Sequence, residues 1–335
     1  MRDYIEEENI KVNIDLDKNQ FGNLEIEVLI PIIEDEDRPF LWHIGVGGSI
    51  VSKPIITKDA IYFAACDKNF YKLDKKGKLI WKFPTKGATI SFPVLYKNVI
   101  YFGCYDHNFY AIRTDGKLLW EFETKGEIIS RPYIDDEKII FGSKDHNVYC
   151  VDNRGKLKWK FASNGEIPSN IASHDNRIYF GCFDKNLYCL DLDGNFLWKK
   201  SFKGFVTSPT VYKDSIFVGN FNDYSMNRLT LDGKKIWSFK CKKPLLANNP
   251  TNIYNDKVYF SSRDHYVYCL DVNGKLLWKF DTKGTPGSII VHKNVVYFGS
   301  TDPHVYALDL EGKLLWKTYV GGLLQVNALH ITIFY

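Results

Sequence analysis

The chain has 335 residues, of which 45% are hydrophobic and 25% charged, so it can bury a core and is not intrinsically disordered. Its 44 basic and 40 acidic residues leave a formal charge of +4, too small a bias to indicate a nucleic-acid-binding or membrane-binding protein. Aromatic residues make up 16% of the chain and methionines number only 2, which favours β-strands with many turns and excludes a helical bundle.

The N-terminal 20 residues carry acidic side chains and no apolar stretch, so they do not resemble a signal peptide. No run approaches about 18 apolar residues, so no membrane span is predicted. The 7 cysteines include no adjacent pair and no C-x-x-C pair, and most lie in apolar strand-like runs. These features predict a cytoplasmic protein with reduced cysteines in its core.

An internal repeat, marked by tryptophan, runs through the chain. Intervals of 39, 39, 39, 39, 39, 41 and 38 residues separate Trp42, Trp81, Trp120, Trp159, Trp198, Trp237, Trp278 and Trp316. A glycine precedes each of the last seven by four residues, and most units carry an aspartate four residues before a tyrosine. Such self-similarity is the signature of a repeat architecture.

Each unit is predicted to contain four short strands. In chain order these are a strand near a serine (Ser52, Ser91, Ser130, Ser169 and Ser208), then runs of the IYFG, NFYAI and KLLWKF types. Polar or glycine-containing turns such as DHN and TDGK separate them. Four strands per unit of about 40 residues predict the blade of a β-propeller.

Seven complete units end near Trp81, Trp120, Trp159, Trp198, Trp237, Trp278 and Trp316, and an eighth is predicted to be split between the chain ends. Segments 24–30 and 38–44, the latter with Trp42, resemble the last two strands of a unit, and segment 320–335 resembles its first half. Pairing the two ends closes the ring and removes exposed strand edges. We therefore expect one all-β domain over residues 1–335, a monomeric eight-bladed propeller whose last blade combines about 1–42 with 317–335.

The pattern Leu-Asp-x-x-Gly-Lys-Leu-x-Trp, found at 73–81, 270–278 and 308–316, resembles the PQQ-type (quinoprotein-like) propeller repeat with its tryptophan docking motif. The resemblance covers roughly residues 40–335, although the Thr-Gly pair common at the turn is absent. It implies that each tryptophan stacks over the turn of a neighbouring blade. Because that family contains both quinoprotein dehydrogenases and cofactor-free members, the resemblance implies the fold and not the chemistry.

The repeated aspartates, often in Asp-His-Asn as at 106–108 and 145–147, are predicted to accept hydrogen bonds from turn N–H groups. Because they recur on every blade, they cannot converge on one ligand. His107, His146, His265 and His304 likewise fall on different blades and are predicted to lie at the rim, not in a zinc site. Segment 15–26 resembles a calcium-binding loop but has Gln20 in place of the invariant glycine and Ile26 in place of the bidentate glutamate. Segment 191–195 also resembles such a loop but is the repeat turn. No catalytic, cofactor-binding or metal-binding site is predicted.

Residues that break the repeat are the candidates for function. The position after the inner serine reads Lys53, Phe92, Arg131, Asn170 and then Pro209. Lys53, Arg131 and Asn170 are the candidate partner-binding residues of the central channel.

The fifth unit departs further from the pattern, with Asn222 in place of the aspartate and Met226 in place of the tyrosine. The next unit has an enlarged segment, 241–252, which is a candidate contact loop, although neutral variation explains it equally well.

Three functions remain open. The sequence favours a non-catalytic scaffold without cofactor that binds an unidentified protein partner. A second hypothesis is a quinoprotein dehydrogenase using pyrroloquinoline quinone and calcium; such enzymes are larger, exported and often have a vicinal disulfide, whereas this chain has no adjacent cysteines. A third is a small-molecule or glycan binder at the channel mouth, where Lys53 and Arg131 would meet an anion. Lysines spread over all units leave no clear footprint for nucleic acid.

Overall fold

A computed structural model describes residues 46–48, 50, 52–246 and 251–319, all within one compact unit. These residues form seven four-stranded antiparallel sheets, each built from four strands that are consecutive in the chain. The arrangement is an all-β propeller of four-stranded blades, which confirms the predicted fold class. No helix in the described residues is long and apolar enough to cross a membrane.

Blades one to three comprise β1 (Ile55–Ile56), β2 (Ala60–Ala65), β3 (Asn69–Asp74), β4 (Leu79–Pro84), β5 (Val94–Tyr96), β6 (Val99–Gly103), β7 (Asn108–Arg113), β8 (Leu118–Glu123), β9 (Tyr133–Ile134), β10 (Ile139–Gly142), β11 (Asn147–Val151) and β12 (Leu157–Ala162). Blades four to seven comprise β13 (Ala172–His174), β14 (Arg177–Gly181), β15 (Asn186–Asp191), β16 (Phe196–Ser201), β17 (Thr210–Tyr212), β18 (Ser215–Asn220), β19 (Ser225–Thr230), β20 (Lys235–Lys240), β21 (Asn252–Tyr254), β22 (Lys257–Ser261), β23 (Tyr266–Asp271), β24 (Leu276–Asp281), β25 (Ile290–His292), β26 (Val295–Gly299), β27 (His304–Asp309) and β28 (Leu314–Tyr319).

The four strands of a blade differ in burial according to their place. The first strands are short and approach those of neighbouring blades, as β13 approaches β17 and β21 approaches β25. The second and third strands are almost wholly buried because both of their faces meet another blade. The fourth strands expose most of their side chains and form the outer wall. The first strand of each blade is therefore the innermost one, next to the central channel.

Consecutive blades pack through six apolar clusters. In one of them, Val148 and Cys150 of blade three contact Phe180 and Leu190 of blade four. The cysteines are free, as predicted, and burial raises the pKa of the Cys150 thiol to about 12. Neutral thiols of this kind pack as small apolar side chains.

The tryptophans dock between blades, as the repeat family implies. Trp159 of β12 stacks on Gly194 in the last turn of blade four, and its Nε1 donates a hydrogen bond to the carbonyl of Leu192 at 3.1 Å. Gly194 has a φ of +84°, and an added Cβ would lie 2.6 Å from Cδ2 of Trp159. The same docking joins Trp81 to Gly116, Trp120 to Gly155, Trp198 to Gly233, Trp237 to Gly274 and Trp278 to Gly312. Both the backbone conformation and the close approach therefore require glycine.

The described residues form seven blades and not the predicted eight. The boundary at 317 was wrong, since β28 continues to Tyr319, which pairs with His304 of the same blade. Every fourth strand likewise extends three residues past its tryptophan, because it pairs along the whole of the third strand. The rest of the predicted split blade, including Trp42 and segment 320–335, lies outside the described residues.

The sequence alignment of the fifth unit also needs correction. The N–H of Gly219 donates to Oγ1 of Thr207 at 2.8 Å, as the N–H of Gly181 donates to Oγ of Ser169 at 2.8 Å. Thr207, and not Ser208, therefore occupies the inner serine position. Ser208, and not Pro209, follows it at the channel.

One more residue of the fifth unit is reassigned. Val218 pairs with Asn227 as Phe180 pairs with Tyr188, so Asn227, and not Met226, replaces the tyrosine. The unit lost one residue before its first strand and gained one between its second and third strands. These two changes cancel in the tryptophan spacing, which therefore did not reveal them.

Candidate binding surface

The repeated aspartates hold the turn between the second and third strands, as predicted. Oδ1 of Asp145 accepts the N–H of Asn147 at 3.1 Å, and Oδ2 accepts the N–H of Lys125 at 3.0 Å and the hydroxyl of Tyr149 at 2.7 Å. Asp106, Asp184 and Asp264 make the corresponding contacts in their own blades. Each carboxylate thus ties its turn to the loop that enters the same blade.

These hydrogen bonds also set the ionisation of the aspartates. Burial by itself raises the pKa of Asp145, but the hydrogen bonds from Tyr149, Lys125 and Asn147 outweigh it and lower the pKa below its usual value. Burial and the neighbouring carboxylate raise the pKa of Tyr149. The carboxylate is therefore held ionised and the phenol neutral, which is a structural pairing and not an acid–base pair.

The inner serines place the channel candidates at the same end of the blades as these turns. Oγ of Ser130 bonds both the N–H and the carbonyl of Gly142, the last residue of β10, at 2.9 Å. Arg131 follows directly and so lies beside the turn that begins at Ser143. By the same register, Lys53 lies at this end of blade one.

The charge of Arg131 acts on Lys53, although the two residues belong to blades three and one. Both side chains are exposed, yet the surrounding protein lowers the pKa of each, and repulsion by Arg131 lowers that of Lys53 further. Exposure combined with desolvation is expected of charges on a concave, water-filled surface. Two cations held in this way favour the binding of an anionic group.

Asn170 has a different place from the other two candidates. It is buried, its Oδ1 accepts the N–H of Arg131 at 2.8 Å, and its own N–H donates to Oγ of Ser208 at 3.0 Å. It therefore joins the first strands of blades three, four and five. Asn170 therefore positions the backbone of Arg131.

A row of aromatic and cationic side chains at this end of the propeller was not recognised in the sequence. We call it the turn face: Tyr105, Lys144, Phe183, Phe205, Phe221 and Arg263. The rings of Phe183 and Phe205 stack with centroids 4.5 Å apart, and those of Phe205 and Phe221 are 6.1 Å apart. Arg263 lies 5.3 Å over Phe221, and Lys144 lies 5.4 Å over Tyr105. The row spans blades two to six.

The backbone of the turn face is anchored in every blade. The N–H groups of Tyr105, Lys144, Phe183, Phe221 and Arg263 each donate to a carbonyl of the loop that enters the blade, at 2.9–3.0 Å. Only Phe205 lies on such an entering loop. One signal in the sequence could have revealed the row. The second residue after the end of each IYFG-type strand varies between aromatic and cationic types, whereas the residues around it repeat.

The described channel positions of blades one to five do not suit the calcium of the enzymatic hypothesis. In blades one to five they are Lys53, Phe92, Arg131, Asn170 and Ser208, none of which supplies the carboxylate oxygen that calcium prefers. Of the enlarged segment 241–252, residues 247–250 lie outside the described residues. Leu245 in this segment pairs with Ser262 of blade six.

Comparisons with known proteins agree on the architecture. The family profile described as "Outer membrane protein assembly factor BamB" matches residues 32–121, 75–166, 144–262 and 227–330. BamB from Moraxella catarrhalis superposes with a TM-score of 0.69 at 16% identity, over 81% of this chain and 86% of that one. A computationally designed protein, Ika8, superposes with a TM-score of 0.75 at 15% identity, over 84% of this chain and 90% of that one. No curated protein sequence gives a significant match.

Proposed function

Because the chain belongs to the family of the outer membrane protein assembly factor BamB, we propose that it is a non-catalytic propeller that binds a protein partner through the turn face. The observation that carries this proposal is the continuous row of partly exposed rings from Phe183 to Phe221, closed by Arg263. Aromatic residues and arginine are the residue types enriched at the energetic centres of protein interfaces.

The rigidity of the surface supports binding without rearrangement. Every turn-face residue except Phe205 has its own backbone N–H hydrogen-bonded to a carbonyl of the loop that enters its blade. A preorganised surface loses little conformational entropy when it binds. Lys53 and Arg131 lie at the same end of the blades and add positive charge, so the partner we propose presents apolar side chains beside an acidic group.

The test compares two double variants of the full chain as baits in an extract of the source cells. Phe205→Glu/Phe221→Glu changes the turn face, and Leu118→Glu/Leu119→Glu changes two outer-wall residues that are 45% and 48% exposed. We expect the wild type and the wall variant to retain one common protein and the turn-face variant to lose it. The interaction is then measured with both purified proteins by calorimetry.

Retention of the same partner at equal affinity by the turn-face variant would contradict the proposed surface. Both variants should first show wild-type circular dichroism, so that loss of fold is not read as loss of binding. The enzymatic hypothesis is tested separately with purified chain, pyrroloquinoline quinone, calcium and an electron acceptor. We expect no turnover of alcohols or sugars, and quinone-dependent oxidation would instead support the dehydrogenase.

A further inference from the structure

An aromatic triad fills five of the described junctions between consecutive blades. A phenylalanine of one fourth strand packs edge-on against a phenylalanine and a tyrosine of the next blade, and those two rings stack. In the junction of blades three and four, ring centroids of Phe161 and Phe180 are 6.3 Å apart, those of Phe161 and Tyr188 5.7 Å, and those of Phe180 and Tyr188 5.2 Å. The other triads are Phe83/Phe102/Tyr110, Phe122/Phe141/Tyr149, Phe239/Phe260/Tyr268 and Phe280/Phe298/Tyr306.

The junction of blades four and five has lost all three rings. Lys200 pairs with Leu187 as Phe161 pairs with Val148, so it takes the first position of the triad. Val218 and Asn227 take the second and third positions by the register given above. All three positions are non-aromatic at the same junction. A pocket of about 250 Å³ lies at this junction, and Lys200 and Asn227 of the triad positions line it together with Phe202.

The pocket is lined mainly by cations and hydrogen-bond donors. Lys200 of blade four, Lys203 of the loop that enters blade five and Lys235 of blade five line it, and none of the three forms a salt bridge within the described ranges. The carboxylate of Asp223 also lines it but is engaged by Lys240. Three lysines therefore line a space whose only carboxylate, Asp223, is paired with Lys240 and also attracted by Lys203.

Asn220 adds a buried donor at the wall of the pocket. Its side chain is fully buried, and its Oδ1 accepts the N–H of Asp223 at 3.0 Å, which fixes the orientation of the amide. Its Nδ2 then has no hydrogen-bond partner among the described residues. Buried amide donors are rarely left unpaired, but Asn220 has no exposed surface, so this donor lies behind the pocket wall and does not open into the pocket. The small side chain in the equivalent position of blade three, Ser143, bonds its own entering loop instead.

We propose that this pocket, the Lys200 pocket, binds a small polyanion of the di- or tricarboxylate or phosphate-ester class. The lysines would neutralise its charged groups. A water molecule takes about 30 Å³ of liquid volume, so the space exceeds what one inorganic ion fills. Such a site goes beyond the proposed partner binding, because it requires only the purified chain.

Calorimetry on the purified full chain tests the proposal with citrate, glucose 6-phosphate, inorganic phosphate and a glutamate-rich peptide as probes. We expect citrate or glucose 6-phosphate to bind, with affinity that falls as salt is raised. Lys200→Gln should weaken that binding about tenfold, the cost of one lost charged hydrogen bond. The charge-matched control Lys160→Gln, on the outer wall of blade three, should leave it unchanged.

A second variant separates loss of the pocket from loss of charge. Lys200→Phe/Val218→Phe/Asn227→Tyr rebuilds the triad present at the other junctions, so it should melt no lower than the wild type while binding is abolished. Absence of binding of both citrate and glucose 6-phosphate to the wild type overturns the proposal. So does unchanged affinity in the rebuilt variant, or binding of inorganic phosphate or of the peptide alone. Because no partner protein is involved, these outcomes are independent of the turn-face experiment.

Discussion

A tryptophan and a glycine from consecutive blades meet at six described junctions, and their contact explains why both residues recur. The indole covers a glycine in the left-handed region, and its Nε1 donates to a turn carbonyl at five of the six junctions. At the sixth, Nε1 of Trp198 is buried without a partner among the described residues. This is again the junction of blades four and five, where the aromatic triad is absent.

Trp159→Ala tests the docking contact. We expect it to lower the free energy of unfolding by about 3 kcal/mol, at the low end for buried aromatic residues because the indole is only half-buried. The control Lys156→Ala should change it by less than about 0.5 kcal/mol, since the exposed lysine contributes only its backbone to the turn. Chemical denaturation measures both. Equal stability of the two variants would mean that the indole does not hold the junction.

The lowered pKa of Asp145 predicts a dependence of stability on pH. A carboxyl whose pKa is lower in the folded state stabilises that state fully above its unfolded pKa of about 3.9. The contribution is lost as the pH falls through the lower, folded value. The free energy of unfolding should therefore decrease below about pH 5.

We expect Asp145→Asn to reduce the slope of stability against pH in this acidic range, measured by denaturation at several pH values. Asp214→Asn, at an exposed turn, serves as the matched control. A slope in Asp145→Asn equal to that of the control would show that the hydrogen bonds of Asp145 do not favour its ionised form.

At the scale of the strands, a bulge explains why the fourth strand departs from simple alternation. Trp159 pairs with Cys150, but the next pair joins Leu157 to Val151, so Lys158 has no direct partner. The same register shift occurs in all seven described blades. The bulge exposes the two residues before each tryptophan and turns the indole toward the next blade. The exposed leucines of the outer wall are therefore a consequence of docking.

Lys53 and Arg131 precede β1 and β9, and the charge of Arg131 lowers the pKa of Lys53. This effect on the pKa can be measured. Arg131→Glu should raise the pKa of Lys53, because attraction replaces repulsion. It should leave the melting temperature nearly unchanged, since the arginine side chain is exposed. Titration of labelled lysine by NMR follows Lys53. The outer-turn control Arg154→Glu should not move it, and an unmoved pKa in Arg131→Glu would contradict the shared channel mouth.

At the scale of the molecule, each described blade is stabilised by its neighbours. Six apolar clusters join consecutive blades, so the stability of the chain is a sum of similar interfaces. Every docking tryptophan contacts the blade that follows its own in the chain. The non-enzymatic function, the cytoplasmic location and the monomeric ring stay predictions.

Removal of residues 323–335 tests the predicted split blade. If this segment pairs with the N-terminal strands, its loss should expose strand edges, lower the melting temperature and cause aggregation. Calorimetry and light scattering measure these two effects. Removal of residues 1–8, for which no strand is predicted, is the control. A truncated chain that melts and scatters like the full chain would contradict the split blade.

The sequence by itself determined the repeat, the four strands of each described blade, the docking of tryptophan on glycine and the role of the turn aspartates. These features depend on local periodicity and on contacts that recur at constant spacing, so a single register reveals them. The resemblance carried by 73–81 and its copies likewise predicted the family. The eight-bladed closure depended on chain ends that carry the pattern only weakly.

Only the tertiary structure decided the features that distinguish one blade from another. It showed that Asn170 is a buried link and that Thr207 and Asn227 hold positions that the tryptophan spacing concealed. The aromatic row and the Lys200 pocket combine side chains from different blades, each ordinary in its own unit. Side chains about 20 to 40 residues apart are brought together by blade packing, and the repeat period does not encode which of them differ. For this reason the fold could be predicted from the sequence, whereas the proposed binding surface could not.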